Sequence, residues 1–205
     1  MKQLNLFLAL FFVFYIHIAG AQDKKFENNI YASAGICFDV DSDYMKSRKG
    51  LTMKLGYGLN YYFTEKISTM VGVALHHHSE AILNQNMDGG DFNDFEFLDF
   101  PVIFQGHYET LGKGKVILGV GPVFSFCVGN DDYYIDSDPN DPLNGMEKIK
   151  TFNWSIMPCI AYEINRFRIG MDVNIGLRNI KNTYKGLSDG NMRIHDVCAT
   201  VGVKF

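Results

Sequence analysis

The chain lacks most of the devices by which small exported proteins hold themselves together. It has four cysteines and one tryptophan in 205 residues. Cys37, Cys127, Cys159 and Cys198 are scattered, and no two form a C-x-x-C pair. That excludes a disulfide scaffold and gives no support to a zinc or redox motif; the expectation is free, structural thiols. An excess of one charge is missing too. Nineteen Lys and Arg against 23 Asp and Glu leave a net charge of −4, which argues against a nucleic-acid partner. Beyond residue 21, no apolar run approaches the ~20 residues that a helical span requires. If the mature chain lies in a membrane, it does so as a closed barrel, the other structure that satisfies its own backbone in lipid.

What is present begins with a leader. Lys2 supplies a positive charge, Leu4 to Ile18 is mostly apolar, and Ala19-Gly20-Ala21 precedes Gln22. This reads as a secretory signal peptide over residues 1–21, with one domain over 22–205. No cysteine follows the cleavage site, so a lipid anchor is not indicated.

The rest divides into eight strand-like segments, at about 28–38, 51–63, 67–79, 94–108, 115–128, 151–163, 166–178 and 193–205. The alternation is cleanest in the fifth. Val116, Leu118, Val120, Pro122, Phe124, Phe126 and Val128 share one face, and Ile117 and Val123 are apolar exceptions on the other. In the last, Val197, Ala199, Val201, Val203 and Phe205 face one way and Cys198, Thr200, Gly202 and Lys204 the other. The second face decides between a soluble sandwich and a membrane barrel. Here it is mostly Gly, Ser, Asn, Ala and Cys, which suits the cramped lumen of a narrow barrel with its full apolar face turned to lipid.

The connections point the same way. Thr64–Lys66, Glu109–Gly114 and Ile164–Asn165 are short, whereas Asp39–Gly50, Glu80–Asn93, Gly129–Lys150 and Asn179–Met192 are long. Strict alternation of short and long is the pattern of periplasmic turns and external loops. Aromatic residues gather near both ends, with Tyr61, Phe63, Tyr108, Tyr162, Phe167 and Phe205 by the short turns and Phe38, Phe126, Phe152 and Trp154 by the long connections. Pro101 and Pro158 fall within strands and lack a ladder donor, so a bulge or irregular pairing is expected at each. The fold class is therefore all-β, an eight-stranded antiparallel up-and-down transmembrane barrel.

Several residues resemble a known family. Phe97-Leu98-Asp99-Phe100-Pro101-Val102-Ile103-Phe104, the Val120-Gly121-Pro122 step and the ending Val201-Gly202-Val203-Lys204-Phe205 are similar to the small outer-membrane β-barrel domain proteins of Bacteroidota, the porin-like family with PorT-type members. The resemblance implies the outer membrane of a Gram-negative cell and contact with outer-membrane lipid and lipopolysaccharide. It also implies a role beside other envelope or secretion proteins, while the short links and the even strand number put both mature termini on the periplasmic side. Val201, Val203 and Phe205 resemble the signal read by the barrel-assembly machinery.

The candidate chemistry lies on the lumen face. Lys54, Asp99, Lys115, Glu163, Arg168, Asp172, Arg178 and Lys204 fall there. Charges in a narrow barrel are costly unless paired, so one buried ion-pair network is expected, with Arg168 and Asp172 as its central members. A filled lumen is expected over an open pore. His76, His77 and His78 read as a solvated polar rim; His76 and His78 share a face, and His107 lies too far along the next strand to join them as a metal ligand. No metal, catalytic residue or cofactor is assigned. A lipid A-modifying enzyme using His195, Asp196 and Ser125 is the alternative of another class, and a small-solute channel is a third. The acidic stretches Asp39–Asp43, Asp88–Asp94 and Asp131–Asp141 read as solvated loops, without the spacing of a calcium loop.

Overall fold

The computed structural model describes residues 25–41, 47–79, 94–110, 112, 114–130, 151–180 and 192–205. The signal segment and most of the three acidic stretches lie outside the described residues. Eight strands follow in chain order: β1 (Phe26–Asp41), β2 (Ser47–Thr64), β3 (Ile67–Ser79), β4 (Asp94–Glu109), β5 (Gly114–Asn130), β6 (Phe152–Ile164), β7 (Phe167–Gly176) and β8 (Met192–Lys204). Each pairs antiparallel with its sequence neighbours, and β1 pairs with β8 from Asn29↔Lys204 to Asp41↔Met192. The barrel is closed and has no free edge.

Neighbouring residues establish the two faces. Ile103 is fully buried while Phe104 is 58 % exposed, and Ile117 is 1 % exposed while Leu118 is 46 % exposed. Those large apolar side chains outside the barrel, repeated on every strand, make a belt far larger than the few hundred Å² that a soluble monomer leaves bare. Rings band the belt at both ends. Phe26, Tyr61 and Phe63 touch in sequence at 5.1 Å between centroids near the short turns, and Phe100, Phe126 and Phe152 touch at 5.9 and 5.2 Å near the long connections. Inside, the two exceptions of β5 find their purpose: Val123 packs with Met70, Ile103 and Met157 at mid-lumen, and Ile117 is buried beside them. Space there is tight. A Cβ at Gly119 would come within 2.7 Å of Cys159 Sγ and 2.9 Å of Ile103 Cγ2.

One expectation needs correction, and the expectation at the prolines is met in one of its two forms, irregular pairing. The link after β1 is shorter than Asp39–Gly50, because Phe38, Asp39 and Val40 pair with Lys49, Arg48 and Ser47. Backbone groups pair regardless of side-chain polarity, so a polar stretch marks where the belt ends rather than where the ladder stops. The prolines interrupt pairing without forming a bulge. The β3–β4 ladder passes from Val71↔Val102 to Ala74↔Asp99, and the β6–β7 ladder from Ile156↔Ile175 to Cys159↔Asp172, in unbroken register. The register shifts lie elsewhere, at Tyr62/Thr64 and Glu96/Phe97. At the tight β6–β7 turn Asn165 adopts φ 55°, a left-handed conformation that asparagine tolerates better than most residues.

Candidate functional site in the barrel lumen

The lumen charges form two groups at different depths. The first lies near the short-turn end. Glu163 and Arg168 are direct partners across β6 and β7, and Arg168 Nη2 donates to Glu163 Oε2 at 2.8 Å. Lys204 Nζ donates to the other oxygen of Glu163 at 2.6 Å. Glu27 completes a square, 3.0 Å from Lys204 and 3.5 Å from Arg168. His107 lies toward this end, with Ser68 Oγ at 2.7 Å and the Tyr62 ring at 5.1 Å.

The second group is deeper and drier. Asp172 lies four residues along β7 from Arg168, about 13 Å at strand rise. Lys54 Nζ donates to Asp172 Oδ1 at 2.8 Å and to Asp196 Oδ1 at 2.6 Å, with all three side chains almost completely enclosed. Thr200 Oγ1 donates to Asp172 Oδ2. On the β3–β4 side, His76 Nδ1 and Asp99 Oδ2 are 2.7 Å apart. With Nδ1 bearing the proton, the Thr52 hydroxyl donates to His76 Nε2 at 2.8 Å. The same nitrogen is 3.6 Å from Asp196 Oδ2. His78 lies against His76 with ring centroids 4.0 Å apart, and the edge of Phe97 closes on it at 5.5 Å.

A cavity of about 90 Å³ separates the groups, lined in part by Tyr31, Met70, Gln105 and Met157. Beyond the histidines, Cys37, Phe95, Phe97, Ile180 and Ile194 pack into an apolar cap. From one end to the other, the lumen is filled by charged groups, a small cavity, a buried polar cluster and this cap.

The placements differ from expectation in four respects. The charges form two clusters rather than one, and Lys54, not Arg168, is the cation at the centre. Asp99 joins the deeper group through His76. Arg178 is not with the lumen charges: β7 ends at Gly176, and the Arg178 guanidinium lies over the Phe152 ring at 5.2 Å, on the outward row. His76 and His78 are buried, at 4 % and 3 % exposure, because the apolar cap lies above them; they are not a solvated rim. Glu27, His76, His78 and Asp196 also belong to the two groups, beyond the residues expected there. Parity offered a signal, since Asp196 shares the face of Cys198, Thr200 and Lys204.

Ser125, His195 and Asp196 do not converge as a triad: Asp196 points into the lumen and His195 alternates to the other face. A hydroxyl–imidazole–carboxylate chain does exist as Thr52–His76–Asp99, but Thr52 is 1 % exposed, which leaves a substrate no approach to its hydroxyl. Ligand-type atoms of His76, His78 and Asp196 lie within 4.8 Å of one another, as do those of Asp172, Asp196 and Cys198.

No family model and no curated protein matches the chain. Among solved structures it is similar to Neisserial surface protein A, NspA, at TM-score 0.51 and 16 % identity, covering 87 % of this chain and 97 % of that one. It is similar to the outer-membrane enzyme PagL at TM-score 0.50 and 10 % identity, covering 85 % and 98 %. OprG from Pseudomonas aeruginosa follows at TM-score 0.46 and 17 % identity, covering 90 % and 98 %. At these identities the likeness to NspA and PagL establishes the fold alone, that of a small outer-membrane β-barrel.

Proposed function

We propose that this chain is a structural or interaction component of a Gram-negative outer membrane, with its short turns and both mature termini on the periplasmic side. The observation that carries the reading is the pairing of a continuous lipid-compatible belt, banded by rings at both ends, with a lumen filled along its length. A belt of this kind is stable only when lipid covers it. An apolar cap over the lumen leaves a solute no continuous path, and the buried charges face one another rather than an opening. The rigid barrel then serves to hold its long external connections in place, where binding residues concentrate, within an envelope or secretion assembly as the PorT-type resemblance implies. Phe205 supports assembly at the closing seam: its amide and carbonyl both pair with Asn28, at 2.9 and 3.2 Å, and its ring lies outward.

The test is fractionation of cells expressing the full chain, followed by gel migration with and without boiling. The expected outcome is recovery with outer membranes, release by detergent alone, and faster migration of the unboiled barrel. Recovery in the soluble fraction without detergent overturns the reading. Discrete conductance steps in a planar bilayer would replace it with a channel, and turnover of labelled lipid A with an enzyme.

A further inference from the structure

We propose that His76, His78 and Asp196 bind one divalent cation of the zinc class inside the lumen. The three side chains come from β3 and β8, and all are buried. His76 and His78 are two apart on one strand, so both rings enter the same side of the sheet. Their ligand atoms and the Asp196 carboxylate already lie within 4.8 Å of one another. A contraction of up to about 1.4 Å brings them to the ~3.4 Å spacing of ligands around a tetrahedral ion with ~2.1 Å bonds.

Three further observations point to an ion. His76 is oriented from behind by the Asp99 carboxylate at 2.7 Å; that contact holds the Nδ1 proton and leaves the lone pair to Nε2, which accepts from the Thr52 hydroxyl at 2.8 Å and lies 3.6 Å from Asp196 Oδ2, so an ion would take the place of the Thr52 proton there. A carboxylate behind a metal-binding imidazole fixes the ring and raises its basicity. His78 is 3 % exposed, and its Nδ1 has no hydrogen-bond partner among the described residues. A buried nitrogen left this way is an unmet lone pair or an unmet proton. A pocket of about 20 Å³ beside these groups, bounded also by Ser125, Asn153, Ser155 and Asn174, has room for one water as a fourth ligand.

The charge count supports the same ligand. Asp99, Asp172 and Asp196 are three buried carboxylates, and the one lysine or arginine paired with any of them among the described residues is Lys54, which reaches Asp172 and Asp196. With neutral imidazoles the cluster carries −2, and Asp99 Oδ1 lacks a hydrogen-bond partner there. One dication cancels that charge. Protons on both imidazoles would do so too, but they would place two like charges 4.0 Å apart by ring centroid, in a setting that screens them poorly. Two nitrogens and one carboxylate suit zinc-like ions, whereas calcium and magnesium favour oxygen ligands throughout. The neighbouring Asp172–Asp196–Cys198 group is a poorer candidate, because Lys54 Nζ already bridges its two carboxylates.

The test uses the folded barrel in detergent, stripped with a chelator and titrated with zinc chloride by calorimetry, and in parallel with cobalt for its visible absorption. One equivalent is expected to bind, with cobalt showing the intense bands of a tetrahedral site. His78→Ala is expected to weaken zinc at least 100-fold, and Asp99→Asn by about 10–100-fold through the loss of ring orientation. His77→Ala, on the opposite face, is expected to leave binding unchanged. As a measurement that needs no variant, zinc is expected to raise the denaturant midpoint of the wild-type barrel in proportion to the logarithm of its concentration. Failure of the wild type to bind either ion overturns the proposal, as does a midpoint that ignores zinc or a His78→Ala variant that binds as tightly as wild type.

Discussion

The two ends of the lumen keep buried charge in different ways. Near the short turns, Glu27 and Glu163 face Arg168 and Lys204, two acids against two bases. Each base reaches both acids, so the loss of one contact leaves another. The Arg168 and Lys204 side chains are 13 % and 22 % exposed, and water shares in their solvation. Deeper in, two carboxylates, Asp172 and Asp196, depend on one lysine while Asp99 leans on His76, and Lys54 and Asp196 are 4 % and 2 % exposed. Where a charge is dry and its partner unique, removing that partner strands it. The first arrangement tolerates change; the second concentrates the penalty on Lys54.

Substitution of Lys54 is the sharpest way to break this comparison. Lys54→Met leaves Asp172 and Asp196 without a cation, and a loss of about 3–5 kcal/mol is expected, read from urea unfolding of the barrel in detergent micelles. A loss no greater than that of any single quartet variant would erase the distinction between the ends. Adding Asp196→Asn to Lys54→Met removes one stranded charge. The double variant should recover at least ~1 kcal/mol relative to Lys54→Met alone, as the coupling of a contacting pair requires; additive losses would show that the two do not act together.

Glu163→Gln takes the shared acid out of the quartet. Because Glu27 remains within reach of both bases, the expected loss is about 1–2 kcal/mol, between the ranges for exposed and buried pairs. That loss should shrink in 1 M salt, where the screening length is ~3 Å, while the Lys54→Met loss should not; equal salt sensitivity would place both groups in the same environment. Arg178→Ala should cost least, about 0.5–1 kcal/mol for a half-buried surface cation on a ring. A loss comparable with that of Lys54→Met would return Arg178 to the lumen charges.

Much of the barrel is legible in the sequence alone. The alternation in Val116–Val128 and Val197–Phe205 separates outside from inside, and the short links after the even strands mark one end. Ile117 and Val123 looked like lapses in the pattern. They are lumen core, because a narrow barrel still needs apolar packing at mid-height. The misses share one cause. His76 and His78 were assigned to a wet rim from their nearness to the end of a strand, but Ile180 and Ile194, more than a hundred residues later, close over them. Glu27 was lost because β1 starts two residues earlier than its apolar pattern suggests. Arg178 had the right parity for the lumen, but parity has meaning only while the strand continues, and β7 stops at Gly176.

By itself, then, the sequence determined which side of the wall each strand residue faces. Side-chain direction alternates within a single strand and needs no information from its neighbours. Only the closed tertiary structure decided at what height each inward residue sits, and therefore which charges meet. That height depends on the register of eight successive pairings around the barrel. It is the reason Lys54 finds Asp172 and Asp196 across the lumen while Arg168, on the same strand and face as Asp172, joins a separate group near the short turns.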